Sequence, residues 1–394
     1  MNNILLVEPR KRRSWGKNNQ YIGLLRIANY HKSQGDRVEY IVDPATPRHH
    51  PDLIYVTSMF TYWYPEVYKA VVRYKALFPE AHLMLGGIYA TLCSEHAKKS
   101  GADEVMVGQH PEAKAYPPDP SVLPYPQDFA YLFTSYGCNR ACTYCATHIL
   151  YGRGIRQVEP KKVIEEVQFL KERGFQRILL GDDNLLFNSE GHINLICEEI
   201  IKRKLKVGIH VPGGMAAKDF TQETACLMKA AGFKEISFAI ESTSAEVRKK
   251  MGRAKNTGEE DLLQALSYAD KAGFKRQETN VYFIIGLSYQ TIRDMVDTLV
   301  FLVQCGVWGH PQRFTPIPNT AEWGRMGLQD WDLEDLHYKD FVAPDQENFT
   351  GADLDAIYKI ARFFNIGTRY TSGFNWLEDK SRVSVRFKEA LRSF

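Results

Sequence analysis

Apolar positions recur along this chain with two periods. Val163/Val167/Leu170, Ile193/Ile196/Ile200, Leu262/Leu266/Ala269 and Met295/Leu299/Leu302 repeat every three to four residues and predict amphipathic helices. Between them stand short β-rich runs such as Arg177-Ile-Leu-Leu, Glu235-Ile-Ser-Phe-Ala-Ile and Asn280-Val-Tyr-Phe-Ile-Ile, which predict strands. Gly35, Gly101, Gly174, Gly232, Gly273 and Gly306 each close helical text just before a β-rich run. Glycine takes the left-handed cap past a helix end, so each marks a helix handing the chain to a strand. Pro160, a capping box at Thr257-Gly-Glu-Glu260, and Thr291 mark helix starts. Helices alternating with strands in this way predict a parallel α/β architecture.

Five strand candidates, near 3–8, 37–42, 52–57, 81–85 and 103–107, make residues 1–115 one doubly wound, Rossmann-like domain. Prolines at 117, 118, 120, 124 and 126 then predict an extended linker over 116–130. Residues 131–320 hold six strand-plus-helix units, with strands near 132, 177, 206, 235, 280 and 311. A closed barrel needs eight, so the expectation is an open (β/α)6 partial barrel. Residues 321–394 are aromatic and charged and predict a small, mainly helical C-terminal region, with a helix after Thr350-Gly-Ala-Asp353.

Composition narrows the function classes. Fifty basic against 47 acidic residues give a formal charge of +3, too balanced to argue for nucleic acid or membrane by charge alone. No apolar run reaches membrane-span length and the first residues show no signal region, so a cytoplasmic protein is expected. Of the seven cysteines, Cys93, Cys197, Cys226 and Cys305 are scattered through helical text and read as reduced, buried thiols. The other three form Cys138-x3-Cys142-x2-Cys145 inside Tyr136-Gly-Cys-Asn-Arg-Ala-Cys-Thr-Tyr-Cys.

Three soft thiolates on one short loop suit zinc or an iron–sulfur cluster. With His148 they would complete a closed, structural Cys3His zinc site, making the protein a non-enzymatic, zinc-clipped interaction module. A cluster held by three cysteines instead keeps one iron open. The loop follows the first strand of the six-unit array. The other strands end in Gly181-Asp182-Asp183-Asn184, His210-Val-Pro-Gly213-Gly214, Glu241-Ser242, Gly286 and Thr315-Pro316. Carboxyl strand ends form the active face of parallel β/α folds, which favours the open site.

On these residues the chain resembles the radical S-adenosylmethionine (radical SAM) enzymes that carry an N-terminal cobalamin-binding-like domain; the resemblance covers about residues 3–318. It implies that Cys138, Cys142 and Cys145 hold a [4Fe-4S] cluster whose fourth iron is chelated by SAM, and that SAM is reductively cleaved to a 5′-deoxyadenosyl radical. Tyr144, before the last cysteine, belongs to the motif. Gly181, Asp182 and Asp183 resemble the segment beside the methionine amino group, and Glu241 and Ser242 the ribose- and methionine-contacting strand end. Ile284 and Gly286 resemble the adenine-side motif, with Thr315 and Pro316 closing over the base. A reductant such as flavodoxin or ferredoxin is implied, with no membrane partner.

Cobalamin-domain motifs are matched in part. Ser58-Met-Phe60 and Gly86-Gly87 stand where the resemblance puts contacts to the cobalamin nucleotide tail, and the bulky Tyr62-Trp63-Tyr64 stands beside Ser58. The loop that carries a cobalt-ligating His in some relatives reads Glu8-Pro-Arg-Lys-Arg-Arg-Ser-Trp-Gly16 here, although radical SAM members bind cobalamin without that His. The basic residues Arg10, Lys11, Arg12, Arg13 and Lys17, with Trp15, read as a solvated loop, while leaving a phosphate, an acidic peptide or RNA as alternatives. With cobalamin the expected outcome is C-methylation of an unactivated carbon. Without it the expectation is rearrangement, epimerisation, elimination or dehydrogenation. His210, His310 and Tyr282 are substrate-side candidates, and the substrate, a small molecule or peptide, is not specified by any motif.

Overall fold

The computed structural model describes residues 1–9, 20–252 and 257–370, with side chains described as far as Asn365. The basic loop from Arg10 to Lys17 lies outside the described residues. The chain packs as two compact units, residues 1–139, 145–181 and 316–337 in one and residues 140–144, 182–315 and 338–394 in the other.

The first unit is built on five parallel strands, β1 (Asn3–Glu8), β2 (Arg37–Val42), β3 (Leu53–Val56), β4 (His82–Leu85) and β5 (Glu104–Val105), in the order β2-β1-β3-β4-β5. Helices α1 (Ile22–Ser33), α2 (Tyr64–Leu77), α3 (Ile88–Leu92) and α4 (Ser94–Lys98) connect them. Ile4, Leu6, Leu24, Leu25, Tyr40 and Tyr55 form a core between sheet and helix. The same unit holds β6 (Phe129–Leu132), an antiparallel hairpin of β7 (Ser135–Cys138) and β8 (Gly154–Gln157), α5 (Thr147–Tyr151), α6 (Pro160–Glu172) and β9 (Arg177–Leu180). β6 pairs in parallel with β9. The hairpin was not expected from the sequence. Its strands are four residues each, and Gly137, Gly152 and Gly154 interrupt the alternation that announces a strand.

The proline-rich segment is packed along α1. Asn29 Nδ2 donates to the Pro117 carbonyl at 2.9 Å, and Lys32 pairs with the buried Asp119 at 3.0 Å. Arg26 of α1 pairs with Glu166 of α6 at 3.1 Å, and both side chains are nearly withdrawn from water. Burial raises the Glu166 pKa more than the guanidinium lowers it.

The second unit carries α7 (Ile193–Lys202), β10 (Gly208–His210), α8 (Gln222–Ala230), β11 (Phe233–Glu241), α9 (Ala245–Lys250), α10 (Glu259–Lys271), β12 (Thr279–Ile285), α11 (Ile292–Gln304) and β13 (Trp308–Arg313). β10 to β13 pair in sequence order, all parallel. The predicted apolar stripes are the buried faces: Ile193, Ile196, Ile200, Leu262, Leu266, Ala269, Met295, Leu299 and Leu302 are all at most 3% exposed. At α10 the cap differs from the expected box. The helix starts at Glu259, so Asp261 rather than Glu260 reaches back, accepting the Gly258 N–H at 2.8 Å. Thr291 and Asp294 make the reciprocal box at α11. A short helix α12 (Ala321–Arg325) belongs to the first unit. The long α13 (Gly351–Tyr370), started by Thr350 and Asp353, belongs to the second and gives the C-terminal region its helical character. Among the described residues no helix is long and apolar enough to cross a membrane.

The buried ion pair generates a stability prediction. Glu166→Ala leaves the charged Arg26 in the interior without its carboxylate, held only by backbone carbonyls such as that of Tyr116, and should cost about 3 kcal/mol. Urea unfolding of the full chain checks it, and a loss below about 1 kcal/mol contradicts the pair's structural role.

Candidate active site

The cysteine loop is fixed at its two ends by different local structure. Cys138 is the last residue of β7, paired with Gly154 across the hairpin. Gly137, at φ +89°, passes so close to the facing strand that a Cβ would sit 2.5 Å from the Gly154 carbonyl oxygen. Cys145 precedes α5, its Sγ 3.2 Å from the Thr147 hydroxyl. These belong to the first unit.

The middle of the loop belongs to the second unit and is tied down by three contacts there. Thr143 N–H donates to the Met251 carbonyl at 3.1 Å. Arg140 pairs with Asp219. Tyr144 donates its hydroxyl to Glu241 Oε1 at 2.9 Å. Gly252, at φ +73°, meets the loop so closely that a Cβ would be 2.6 Å from the Ala141 carbonyl oxygen. Cys142 is buried between these anchors. Arg140, Asp219, Met251 and Gly252 carry no sequence signal, because each acts through a contact distant in the chain.

Glu241 is the strained residue of the rim. It ends β11 at φ +65°, 8% exposed, where the register with β12 slips between Ala239 and Glu241. A buried non-glycine residue in the left-handed region costs about 1–3 kcal/mol and is characteristic of functional positions. Ser242 is fully buried, and its hydroxyl accepts the Ser244 N–H at 3.2 Å.

The remaining expected SAM contacts in the second unit lie at or just beyond the carboxyl ends of parallel strands. Asp182 is half-buried and Asp183 exposed. Ile284 is 8% exposed. Gly286, at φ +94°, lies where a Cβ would come within 3.1 Å of Leu354. Gln290, which the sequence did not single out, staples this turn from a fully buried position: it accepts the Leu287 N–H at 2.9 Å and donates to the Ile284 carbonyl at 2.8 Å. Thr315 Oγ1 is buried with no hydrogen-bond partner among the described residues. An orphaned hydroxyl is a cost unless a ligand takes it up, and an adenine or ribose edge would do so. Gly181 and Pro316 belong to the first unit; Gly181 N–H donates to the Leu132 carbonyl at 2.9 Å.

Three soft thiolates carried on one short loop are a donor set that suits an iron–sulfur cluster, each thiolate on a different iron. Among the described residues no three His, Cys, Asp or Glu side chains are grouped to hold a single ion. None of the seven cysteines is in a disulfide. Cys197 and Cys305 are buried as expected, and burial pushes their thiols up to about 12 and about 11. Cys226 is exposed, against expectation, because it falls on the solvent side of α8.

The first unit has its own cavity, about 270 Å³, at the carboxyl ends of its sheet. Ser58, Gly86 and Gly87, expected as cofactor contacts, all line it, with Met59, Ile88, Tyr55, Gln109 and His110. Gly87, at φ +101°, passes so close to the turn after β3 that a Cβ there would be 2.1 Å from the Ser58 carbonyl oxygen. Ser58 Oγ donates to the Gly86 carbonyl at 2.7 Å and accepts the Ala90 N–H at 3.2 Å. Tyr62 and Trp63 do not fill this space; they are buried against Phe60 outside the lining. His110 lines the cavity with both ring nitrogens engaged: Nδ1 accepts the Ala113 N–H at 3.2 Å, and Nε2 is 3.4 Å from the Tyr55 hydroxyl. Burial lowers its pKa and keeps it neutral near pH 7. At the end of β1 the buried Glu8 accepts the Tyr40 and Tyr125 hydroxyls at 2.9 and 3.0 Å, a cluster the sequence did not announce.

Residues 132–302 match the family model described as the radical SAM superfamily. Over 159 residues the chain is 30% identical to the cytidylyl-2-hydroxyethylphosphonate methyltransferase of Streptomyces wedmorensis, covering 40% of this chain and 28% of that protein. It is 26% identical over 197 residues to an uncharacterised methyltransferase of Pyrococcus horikoshii, covering 50% of this chain and 41% of the relative. The matches thus span less than half the length of either relative. In fold it is similar to the radical SAM methyltransferase TsrM of Kitasatospora setae, solved with cobalamin and a [4Fe-4S] cluster bound, with a TM-score of 0.68 at 15% identity over 83% of this chain and 78% of that one.

Two predictions follow from the anchoring contacts. Gly252→Ala forces a side chain into the left-handed region and against the loop carbonyl, costing about 2 kcal/mol and lowering iron bound per chain after reconstitution; wild-type iron content contradicts this. Gln290→Leu strands a buried N–H and a buried carbonyl and should destabilise the chain by about 2 kcal/mol, read as a lower Tm.

Proposed function

Starting from a chain that residues 132–302 make a member of the radical SAM superfamily, we propose that it is a cobalamin-dependent C-methyltransferase. Cys138, Cys142 and Cys145 hold the cluster, and the cavity of the N-terminal sheet takes the corrinoid. The observation that carries the reading is that cavity. It opens at the carboxyl edge of a sheet ordered β2-β1-β3-β4-β5, where the chain's direction of winding reverses between β1 and β3. Such switch points are where doubly wound sheets bind cofactors. The methyltransferase relatives support the same outcome.

When bound, the cluster supplies the electron for SAM cleavage and the corrinoid a transferable methyl group. The chain's own residues bind and orient. Tyr144 ties the cysteine loop to Glu241, so a shift of either moves the other. Asp182 offers a carboxylate for the methionine ammonium, and the buried Thr315 hydroxyl an unused hydrogen bond for the nucleoside. Ile284 provides apolar wall that keeps water from reactive species. In the N-terminal cavity His110 is already committed at both nitrogens, and no His precedes His31 in the sequence. The chain therefore offers a corrinoid apolar surface and hydrogen bonds without an imidazole ligand to cobalt.

Anaerobically reconstituted full-length protein, given SAM and dithionite, should retain corrinoid and consume SAM, and Cys142→Ala should abolish the consumption. Undiminished turnover in that variant overturns the cluster assignment; SAM cleavage without retained corrinoid overturns the methyl-transfer assignment and leaves a cobalamin-free radical reaction. Protein grown with ¹⁵N-histidine should give a cob(II)alamin EPR spectrum identical to that of unlabelled protein. A label-dependent nitrogen splitting contradicts the absence of a histidine ligand.

A further inference from the structure

The inner face of the second unit's sheet carries a polar relay that the cofactor chemistry does not use. Along β11 the residues Glu235, Ser237 and Ala239 alternate with the fully buried Ile236, Phe238 and Ile240. Along β12, Asn280, Tyr282 and Ile284 alternate with the equally buried Val281, Phe283 and Ile285. On β13, Gly309 packs against Leu299 and Leu302 of α11, which puts His310 on the opposite face. His210, Glu235, Asn280 and His310 therefore share one face with Ile284, and they are joined side chain to side chain.

The order of donors in that relay is fixed by chemistry. Glu235 is a carboxylate and accepts: His210 Nδ1 is 3.2 Å from Oε2, and Asn280 Nδ2 donates to Oε1. Asn280 is thereby oriented with Oδ1 toward His310 Nε2, 2.9 Å away. An amide oxygen only accepts, so Nε2 of His310 carries the proton. Burial lowers the His310 pKa and keeps the ring neutral near pH 7, so Nδ1 carries a lone pair. Nδ1 makes no hydrogen bond to a described residue. Tyr282 and Trp308 stand beside the ring, with centroids 5.5 and 6.3 Å from it. Tyr282 pairs in register with His310, one pleat below Ile284, which is about 7 Å at strand rise.

We propose that this inner face is a substrate-recognition site in which His310 Nδ1 accepts a hydrogen bond from a neutral N–H or O–H group on an aromatic substrate. Asn280 and Glu235 are positioning residues that fix the His310 tautomer. The inference rests on the proposed SAM site at the strand ends, since it sets the substrate one pleat below it.

The test needs neither a reduced cluster nor turnover, so its failure is separate from failure of methyl transfer. Full-length protein labelled with ¹⁵N-histidine is titrated with phenol against anisole, and with indole against 1-methylindole, following the His310 signals assigned through His310→Phe. The expected result is a protonated Nε2 and a bare Nδ1, with the Nδ1 signal shifted by phenol or indole but not by the methylated partner, and on the order of fivefold tighter binding of the donor. Response to phenol alone assigns an O–H substrate, and to indole alone an N–H one. Asn280→Val should leave His310 a mixture of tautomers and reduce the donor preference. A protonated Nδ1 in the wild type, or equal response to donor and methylated probes, overturns the site; an unchanged tautomer in Asn280→Val overturns the positioning role.

Discussion

Parallel pairing of β10 to β13 is the constraint on which the second unit depends. Because each strand returns through a helix, all four end on one edge, and their inward residues fall in rows two apart. The strand-end residues Glu241, Ile284 and Gly286 owe their common rim to that pairing, and His210, Glu235, Asn280 and His310 owe it their contact. The helix-facing residues between them are almost wholly buried, so a strand cannot rotate without exposing one set and burying the other.

Onto that rim the cysteine loop is held by contacts of small individual energy. A neutral hydrogen bond is worth about 1 kcal/mol, yet Thr143 to Met251, Tyr144 to Glu241 and the close pass of Gly252 all act on five residues. The strained backbone of Glu241 sits where the register slips, so the residue that receives Tyr144 is itself set by the sheet. Loop position and strand ends are thus one mechanical element. The N-terminal sheet solves a different problem by the same device: Gly87 lets two strand ends approach closely while Ser58 satisfies the exposed carbonyl and the start of α3, leaving a cavity beside them.

Much of this was legible in the sequence, for identifiable reasons. The five N-terminal strands and the six later ones fall on the β-rich runs of the sequence, and six of them, β2, β5, β9, β11, β12 and β13, follow the glycine caps. The helix stripes predicted from spacing are the buried faces. Contacts between distant residues left no such trace: the hairpin that carries Cys138, the Arg140 and Gly252 anchors, and Gln290 depend on the fold rather than on period. Cys226 was misread because a cysteine in helical text looks buried on either face. His310 was visible as a candidate, but its role depends on Asn280 and Glu235, which only the register brings beside it.

The proposed chemistry requires three thiolates to hold a four-iron cluster with one iron left for SAM. Mössbauer spectra of the ⁵⁷Fe-reconstituted protein, taken with and without SAM, test this most directly. SAM should alter the parameters of one iron and leave the other three unchanged. Four irons indifferent to SAM, or a protein that binds zinc and no cluster, would contradict it.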